Sequence, residues 1–215
     1  MRCALDAPDR RVTETEVVKH WLAVEREKTG ADADDLDTLS HRAALDELLR
    51  YKPGAAAFLW RDRPIEWSQT TLSRTEFERL RLIDGPEGLL WDALSPDGTV
   101  MGAARRVERV DTAALASETG IDVGRILDVA DALADGSVSP LVLTKRRGRG
   151  PPRVADGNHR AVAIALRLLR TAEYRPQMAY LGIGANPIAR PLARRVLGVF
   201  DRLCRTVGDG DRPRW

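Results

Sequence analysis

The residues of this chain that could do chemistry lie together in one short run, Asp156-Gly157-Asn158-His159-Arg160. A mostly apolar segment, 161–169, follows the run and predicts a helix that begins there. The N-terminus of a helix carries roughly half a positive charge, so Arg160, and His159 if it is protonated, are unfavourable at that position. A bound anion would reverse the effect, because free backbone N–H groups and cations would both point at it. The run therefore predicts a phosphate-binding turn.

The elements around this turn alternate between helix and strand. Apolar runs and alternating patterns predict strands over 107–110, 140–144, 153–155 and 177–183. Helical periodicity predicts a helix over 121–133 and a second helix directly after Gly157. The pattern is typical of an α/β fold in which helices pack on a sheet.

Helix signals dominate the first part of the chain. Thr13 with Glu16, and Ser73 with Glu76, form capping-box patterns at predicted helix starts. Gly30 suits the end of the first helix, and Ser40 suits the start of the second.

These signals divide the chain into three parts. We predict a helical N-terminal extension over 1–56 and an α/β domain over 57–186 whose core spans 105–184. Residues 187–215 are predicted to form an amphipathic helix and a tail.

The composition indicates a soluble globular protein, with 43% hydrophobic residues, 31% charged residues and a net charge of +2. That charge is too small to argue for nucleic acid by itself. Cys3 and Cys204 lie far apart, and the three histidines have no zinc-ligand spacing, so we expect no metal site built from side chains. No apolar run could cross a membrane, and the start has no signal-like apolar segment, so we expect a cytoplasmic protein. The sequence leaves the oligomeric state open.

The basic residues are strongly biased towards arginine, a bias that high genomic GC content explains. Only four of the 34 basic residues are lysines: Lys19, Lys28, Lys52 and Lys145.

The order of elements over 107–183, together with the Asp-Gly-Asn-His-Arg run, resembles the ParB/sulfiredoxin superfamily. The run is similar to the Asp-Gly-His-His-Arg motif of ParB-like domains. The resemblance implies a mixed sheet with helices, and binding of a nucleotide such as ATP, ADP or CTP with Mg²⁺. Members of the superfamily hydrolyse the nucleotide, transfer a phosphoryl group, or use the nucleotide as a switch on DNA.

The resemblance also implies roles for single residues. Gly157 would let the backbone approach a phosphate oxygen, and the N–H groups of Asn158 and His159 would donate to it. Arg160 would bind a phosphate through its guanidinium fork, and His159 would donate a hydrogen bond or shuttle a proton. Asp156 would orient His159 or Arg160, or hold Mg²⁺ through water.

Departures from the family pattern argue against two of its activities. The turn holds Asn158 where sulfiredoxins carry their nucleophilic cysteine, so sulfinic-acid reduction is not expected. Chromosome-partitioning ParB proteins have Gly-Glu-Arg-Arg at the turn, and they carry a helix-turn-helix and a dimerisation tail downstream. The segment after Asn186, 187–215, is too short for both.

Two further sites have competing interpretations. Glu108 is the counterpart of a catalytic carboxylate in the serine-kinase-like members, or else it pairs with Arg106 or Arg109. The basic loop that contains Arg146, Arg147 and Arg149 contacts DNA together with the last helix, or else it is a solvated hairpin loop.

The leading hypothesis is a nucleotide-binding NTPase or small phosphotransferase, with phosphates at Asp156–Arg160 and with Asp156, His159 and Glu108 as candidate catalytic residues. The alternative is a DNA-binding or regulatory module. A third hypothesis is an inactive interaction protein that kept the fold. For the turn itself the alternative is purely structural, with Asp156 or Asn158 capping the helix.

Overall fold

A computed structural model describes residues 9–32, 35–60, 63–83, 90–133, 136, 138–148 and 150–184. The helices of these residues are α1 Glu14–Thr29, α2 His41–Tyr51, α3 Ala55–Trp60, α4 Arg74–Glu78, α5 Trp91–Leu94, α6 Val100–Arg109, α7 Thr112–Thr119, α8 Val123–Ala132 and α9 Asn158–Thr171, with a short 3₁₀ helix at Leu36–Thr38. The strands are β1 Arg10–Val12, β2 Ile65–Leu72, β3 Leu141–Arg146, β4 Arg153–Asp156 and β5 Gln177–Gly184. None of the helices described is long and apolar enough to cross a membrane.

The five strands form one mixed sheet in the order β1-β2-β5-β3-β4. β3 and β5 run parallel, with Leu143 opposite Leu181, and every other neighbouring pair is antiparallel. The register of β3 and β4 shifts between Val142 and Leu143. The fold is therefore α/β, as the alternation of elements predicts, and its sheet is mixed.

Helices cover both faces of the sheet. On one face, α6 and α8 pack against α9, which lies on Leu141, Leu143 and Val154. On the other face, α1 and α2 pack on the sheet through Trp21, Leu22 and Leu48, which meet Trp67 and Val142. Val142 and Leu143 are neighbours in β3 but belong to opposite cores, because successive strand residues point to opposite faces.

The local signals at the predicted helix starts are confirmed. Both capping boxes form: the Thr13 hydroxyl accepts from the Glu16 N–H, and Ser73 and Glu76 make the same reciprocal contacts. Gly30 ends α1 in the left-handed region at φ 69°. The helix over 121–133 and the strands over 140–144, 153–155 and 177–183 are also present.

The predicted strand over 107–110 is wrong, because this segment ends α6. Val100, Ala103, Ala104 and Val107 are all buried, which is the spacing of one face of a helix. The Thr99 hydroxyl caps this helix by accepting from the Gly102 N–H at 2.9 Å.

The N-terminal region contributes a strand that the sequence did not predict. Its residues Arg10–Val12 form β1, which extends the sheet by pairing with β2. The domain boundaries at residues 56 and 186 stay predictions. The predicted helix over 187–215 lies outside the described residues.

Candidate anion site at the start of helix α9

Helix α9 begins directly after β4 and has no side-chain cap. Gly157 occupies the cap position in the left-handed region, with φ 92° and ψ 28°. The first hydrogen bond of the helix runs from the Ala161 N–H to the Gly157 carbonyl at 2.8 Å, so the N–H groups of residues 158–160 have no acceptor within the helix. A Thr, Ser or Asp side chain caps each of α1, α2, α6, α7 and α8. The start of α9 therefore has the donors of an anion site.

Asp156 is the buried centre of this region, with 3% of its surface exposed. Its Oδ2 accepts from Arg160 Nη2 at 2.9 Å, and its Oδ1 accepts from Lys52 Nζ. Burial alone would raise the pKa of Asp156, but the charges of Lys52 and Arg160 outweigh it and hold the pKa below its usual value. Asp156 is therefore a carboxylate at neutral pH.

This carboxylate relieves part of the conflict that the sequence shows at the helix start. Arg160 is not an uncompensated cation, because Asp156 lies four residues before it and pairs with it. The ion pair with Asp156 therefore explains an arginine at this position without any ligand.

The pair belongs to a larger group of charges, here called the Asp156 cluster: Glu25, Lys28, Lys52, Asp156 and Arg160. Glu25 Oε1 lies 2.8 Å from Lys28 Nζ and 3.4 Å from Lys52 Nζ. Three cations face two carboxylates, so the cluster keeps one surplus positive charge. Lys52 also lies over the Trp21 ring, with Nζ 5.3 Å from its centroid. Even after the internal pairing, the cluster favours a negatively charged ligand.

Gly157 also has a structural role in this turn. A Cβ at this position would lie 2.8 Å from Arg160 Nη2 and 2.8 Å from Leu141 Cδ2. A side chain at position 157 would therefore collide with the guanidinium of Arg160. Position 157 requires glycine because its φ is positive and because Arg160 and Leu141 leave no room for a Cβ.

His159 and Asn158 each carry a buried polar atom that has no hydrogen-bond partner among the described residues: His159 Nε2 and Asn158 Oδ1. The His159 ring meets Trp91 edge-on, with centroids 5.0 Å apart. Burial lowers the pKa of His159 to about 4, so the ring is neutral at pH 7 and adds no charge to the helix start. Asn158 Nδ2 donates to the Ile83 carbonyl at 3.3 Å, which does not cap the helix.

The structure does not bring Glu108 to the turn. Glu108 lies on α6, and its Oε2 accepts from Arg170 Nε at 2.8 Å. Arg170 lies 12 residues after Asn158 on α9, which is roughly 18 Å along a helix. Glu108 therefore pairs with an arginine, as the alternative interpretation held, but with Arg170 instead of Arg106 or Arg109.

The basic loop is placed only in part. Arg147 Nη2 donates to Glu66 at 2.7 Å, and Arg146 is the last residue of β3. Arg149 and the arginines of the predicted last helix lie outside the described residues. Contact with DNA stays a prediction.

Asp156 does not fit as a direct ligand for Mg²⁺ in this arrangement, because both carboxylate oxygens already accept from cations. Across the residues that the structure describes, no three His, Cys, Asp or Glu side chains come together as a metal site. Binding of Mg²⁺ through water, which the resemblance implies, stays a prediction.

Sequence reasoning missed four residues that surround the turn: Glu25, Lys28, Lys52 and Trp91. One signal for the lysines was available, since two of only four lysines in the chain meet at this cluster. The separation of 104 residues between Lys52 and Asp156 hid their contact.

Comparisons with known proteins add no relative to this picture. No protein-family model matches the chain, and no curated protein or solved structure matches it significantly. The likeness to ParB-like domains therefore rests on the residues quoted above.

Proposed function

We propose that the chain is a ParB-like nucleotide-binding protein that holds the phosphates of its ligand at the start of α9. The observation that carries the proposal is the uncapped helix start next to the Asp156 cluster. Three backbone N–H groups without an acceptor within the helix lie beside a cluster with one surplus positive charge. Phosphate is the biological anion that such an arrangement suits best.

The surplus charge supplies more of the attraction than the helix does. A helix N-terminus stabilises a nearby anion by about 0.3–1 kcal/mol. Two unit charges 4 Å apart attract by about 4 kcal/mol at an effective dielectric constant near 20. The ligand therefore depends more on Arg160 and Lys52 than on the helix dipole.

Arg160 can hold Asp156 and a phosphate at the same time. A guanidinium has five N–H donors, and the hydrogen bond from Nη2 to Asp156 uses one of them. Asp156 then acts as the residue that orients Arg160. The N–H groups of residues 158–160 would donate to the remaining phosphate oxygens.

The proposal concerns binding of ATP, ADP or CTP. An NTPase or phosphotransferase would also need a group that activates water or the acceptor. Glu108 is too far away, and Asp156 is engaged by two cations. The candidate for proton transfer that remains at the turn is His159, which acts as a neutral ring at pH 7.

The test is calorimetric titration of the wild type, Arg160→Gln and Arg167→Gln with ATP, ADP and CTP. Arg167 lies on the same helix, two turns further on, and serves as the matched control. A charge-assisted hydrogen bond contributes enough that its loss weakens binding by roughly tenfold or more. We expect this loss for Arg160→Gln and no change for Arg167→Gln.

A variant that keeps the charge separates binding from folding. Arg160→Lys retains a cation beside Asp156 but loses the planar fork, so we expect native circular dichroism with weakened nucleotide binding. Unchanged affinity in folded Arg160→Gln, or no binding of any of the three nucleotides by the wild type, would overturn the proposal.

A further inference from the structure

A cleft at the carboxyl ends of β3 and β5 is lined by cations that the turn does not use. We infer that it is a second binding site, for a small molecule that carries a phosphate or carboxylate group on an apolar body. The inference uses none of the residues that carry the nucleotide proposal.

The cleft has a volume of about 620 Å³, which is in the usual range of small-molecule sites. Thr144, Gly182 and Gly184 line it where two parallel strands end. In open α/β sheets, ligands bind outside the carboxyl ends of the strands. Gly182 is also needed for packing, because a Cβ there would lie 2.7 Å from the Trp67 ring.

The charges in the cleft have one sign. Arg81, Lys145, Arg146 and Arg153 line it, and its described lining includes no acidic residue. Arg81 Nη2 donates to the Asp97 carbonyl at 2.9 Å, which positions that guanidinium without neutralising it. Within the described ranges, the side chains of Lys145 and Arg153 have no hydrogen-bond or ion-pair partner.

These four basic residues differ from ordinary surface cations because they line a concave cleft. Cations on a convex surface are screened by water and salt, whereas a cleft with low-dielectric walls concentrates their potential on the same small volume. An anion in the cleft therefore experiences several cations at once.

Part of the lining is apolar, and this part defines the rest of the ligand. Phe58, Ile65, Ile83 and Pro151 line the same cleft. A bare inorganic anion would leave these side chains in contact with water. A phosphate or carboxylate joined to an aromatic or aliphatic body would cover them and gain the free energy of burying apolar surface.

The cleft and the start of α9 are separate sites. Arg153 begins β4 beside the cleft, and Asp156 ends the same strand beside α9. Three strand residues span roughly 10 Å. Substitutions in the cleft therefore leave the Asp156 cluster intact.

The test uses phenyl phosphate as the probe and phenol as its uncharged counterpart. Amide chemical shifts of the full chain, followed during titration, report both the affinity and the location. We expect phenyl phosphate to shift Thr144, Lys145 and Gly182 and phenol to bind far more weakly. The double variant Lys145→Gln/Arg153→Gln should weaken phenyl phosphate by about tenfold or more, since two charged donors are lost.

The matched control is Arg42→Gln/Arg50→Gln, which removes two cations from exposed positions on α2. The inference is overturned if the control weakens binding as much as the cleft variant does, if the shifts fall on residues 157–160, or if millimolar phenyl phosphate does not bind. The variant Lys145→Gln/Arg153→Gln should bind nucleotide with the affinity of the wild type. Arg160→Gln should bind phenyl phosphate with the affinity of the wild type. Either proposal can thus fail without the other.

Discussion

At the scale of single residues, His159 and Asp156 both make the fold sensitive to acid, but in different pH ranges. The pKa of His159 is lowered to about 4 by burial, so the unfolded chain, in which histidine titrates near 6.5, binds the proton more readily. The pKa of Asp156 is held below its ordinary 3.8, so its contribution is lost only at lower pH. The contribution of His159 should therefore be lost at higher pH than the contribution of Asp156.

The His159 step gives the first prediction. Between pH 6.5 and pH 4 the free energy of unfolding should fall by about 3 kcal/mol, from a pKa difference of about 2.5 units. Urea unfolding at a series of pH values measures this slope. His159→Phe keeps the contact with Trp91 without this titrating group, so its slope should be smaller by the share of His159. Burial also lowers the pKa of His20, whose share of the slope stays the same in both proteins.

The control for this prediction is His41→Phe, at a partly exposed histidine on α2. It removes a histidine ring outside the turn, so a change of slope confined to His159→Phe belongs to His159. Equal slopes for wild type and His159→Phe would mean that His159 does not titrate as described.

At the scale of elements, the junction of β4 and α9 depends on one glycine. Gly157→Ala places a Cβ at a positive φ and within 2.8 Å of Arg160 and Leu141. A residue other than glycine in this region costs about 1–3 kcal/mol before any displacement of neighbours. We expect Gly157→Ala to lower the free energy of unfolding by at least this amount, measured by urea unfolding.

Gly124→Ala provides the matched control within a helix. The nearest atom to its Cβ is Asp122 Oδ1 at 3.4 Å, and its φ is not positive. Alanine is a better helix former than glycine by about 1 kcal/mol at most, so this variant should be neutral or slightly more stable. A Gly157→Ala variant as stable as Gly124→Ala would contradict the account of the turn.

At the scale of the whole molecule, one sheet carries two cores. Trp21 and Trp67 belong to the core on the α1–α2 side, and Trp91 belongs to the core on the α9 side. Val142 and Leu143 of β3 pack into opposite cores. If β3 detached from one core, the apolar side chains of the other core would also be exposed to water. We therefore expect the described region to unfold in one transition.

Two core substitutions test this cooperativity. Leu22→Ala acts on one core and Leu115→Ala on the other, and both side chains are fully buried. Each should destabilise the protein by about 2–5 kcal/mol. Urea unfolding followed by tryptophan fluorescence and by circular dichroism should give coincident curves in both variants. Separate transitions for the two signals would show that the cores unfold independently.

Features that depend on neighbours in the chain were predictable from the sequence. The capping boxes at Thr13 and Ser73 join residues three apart, so their residue types are enough to predict the helix starts. The strand, glycine turn and helix over 153–171 were recognised for the same reason. The segment 107–110 was misassigned because four alternating residues fit the last turn of a helix as well as a strand.

The partners of the candidate site were decided by tertiary structure. Lys52, directly after α2, contacts Asp156, the last residue of β4, although 104 residues separate the two in the chain. The amino-acid sequence shows that Arg160 is an unusual residue for a helix start, but not that Asp156 neutralises part of its charge. Local hydrogen bonds follow from residue type and spacing, whereas the net charge of a buried cluster depends on which distant elements pack together.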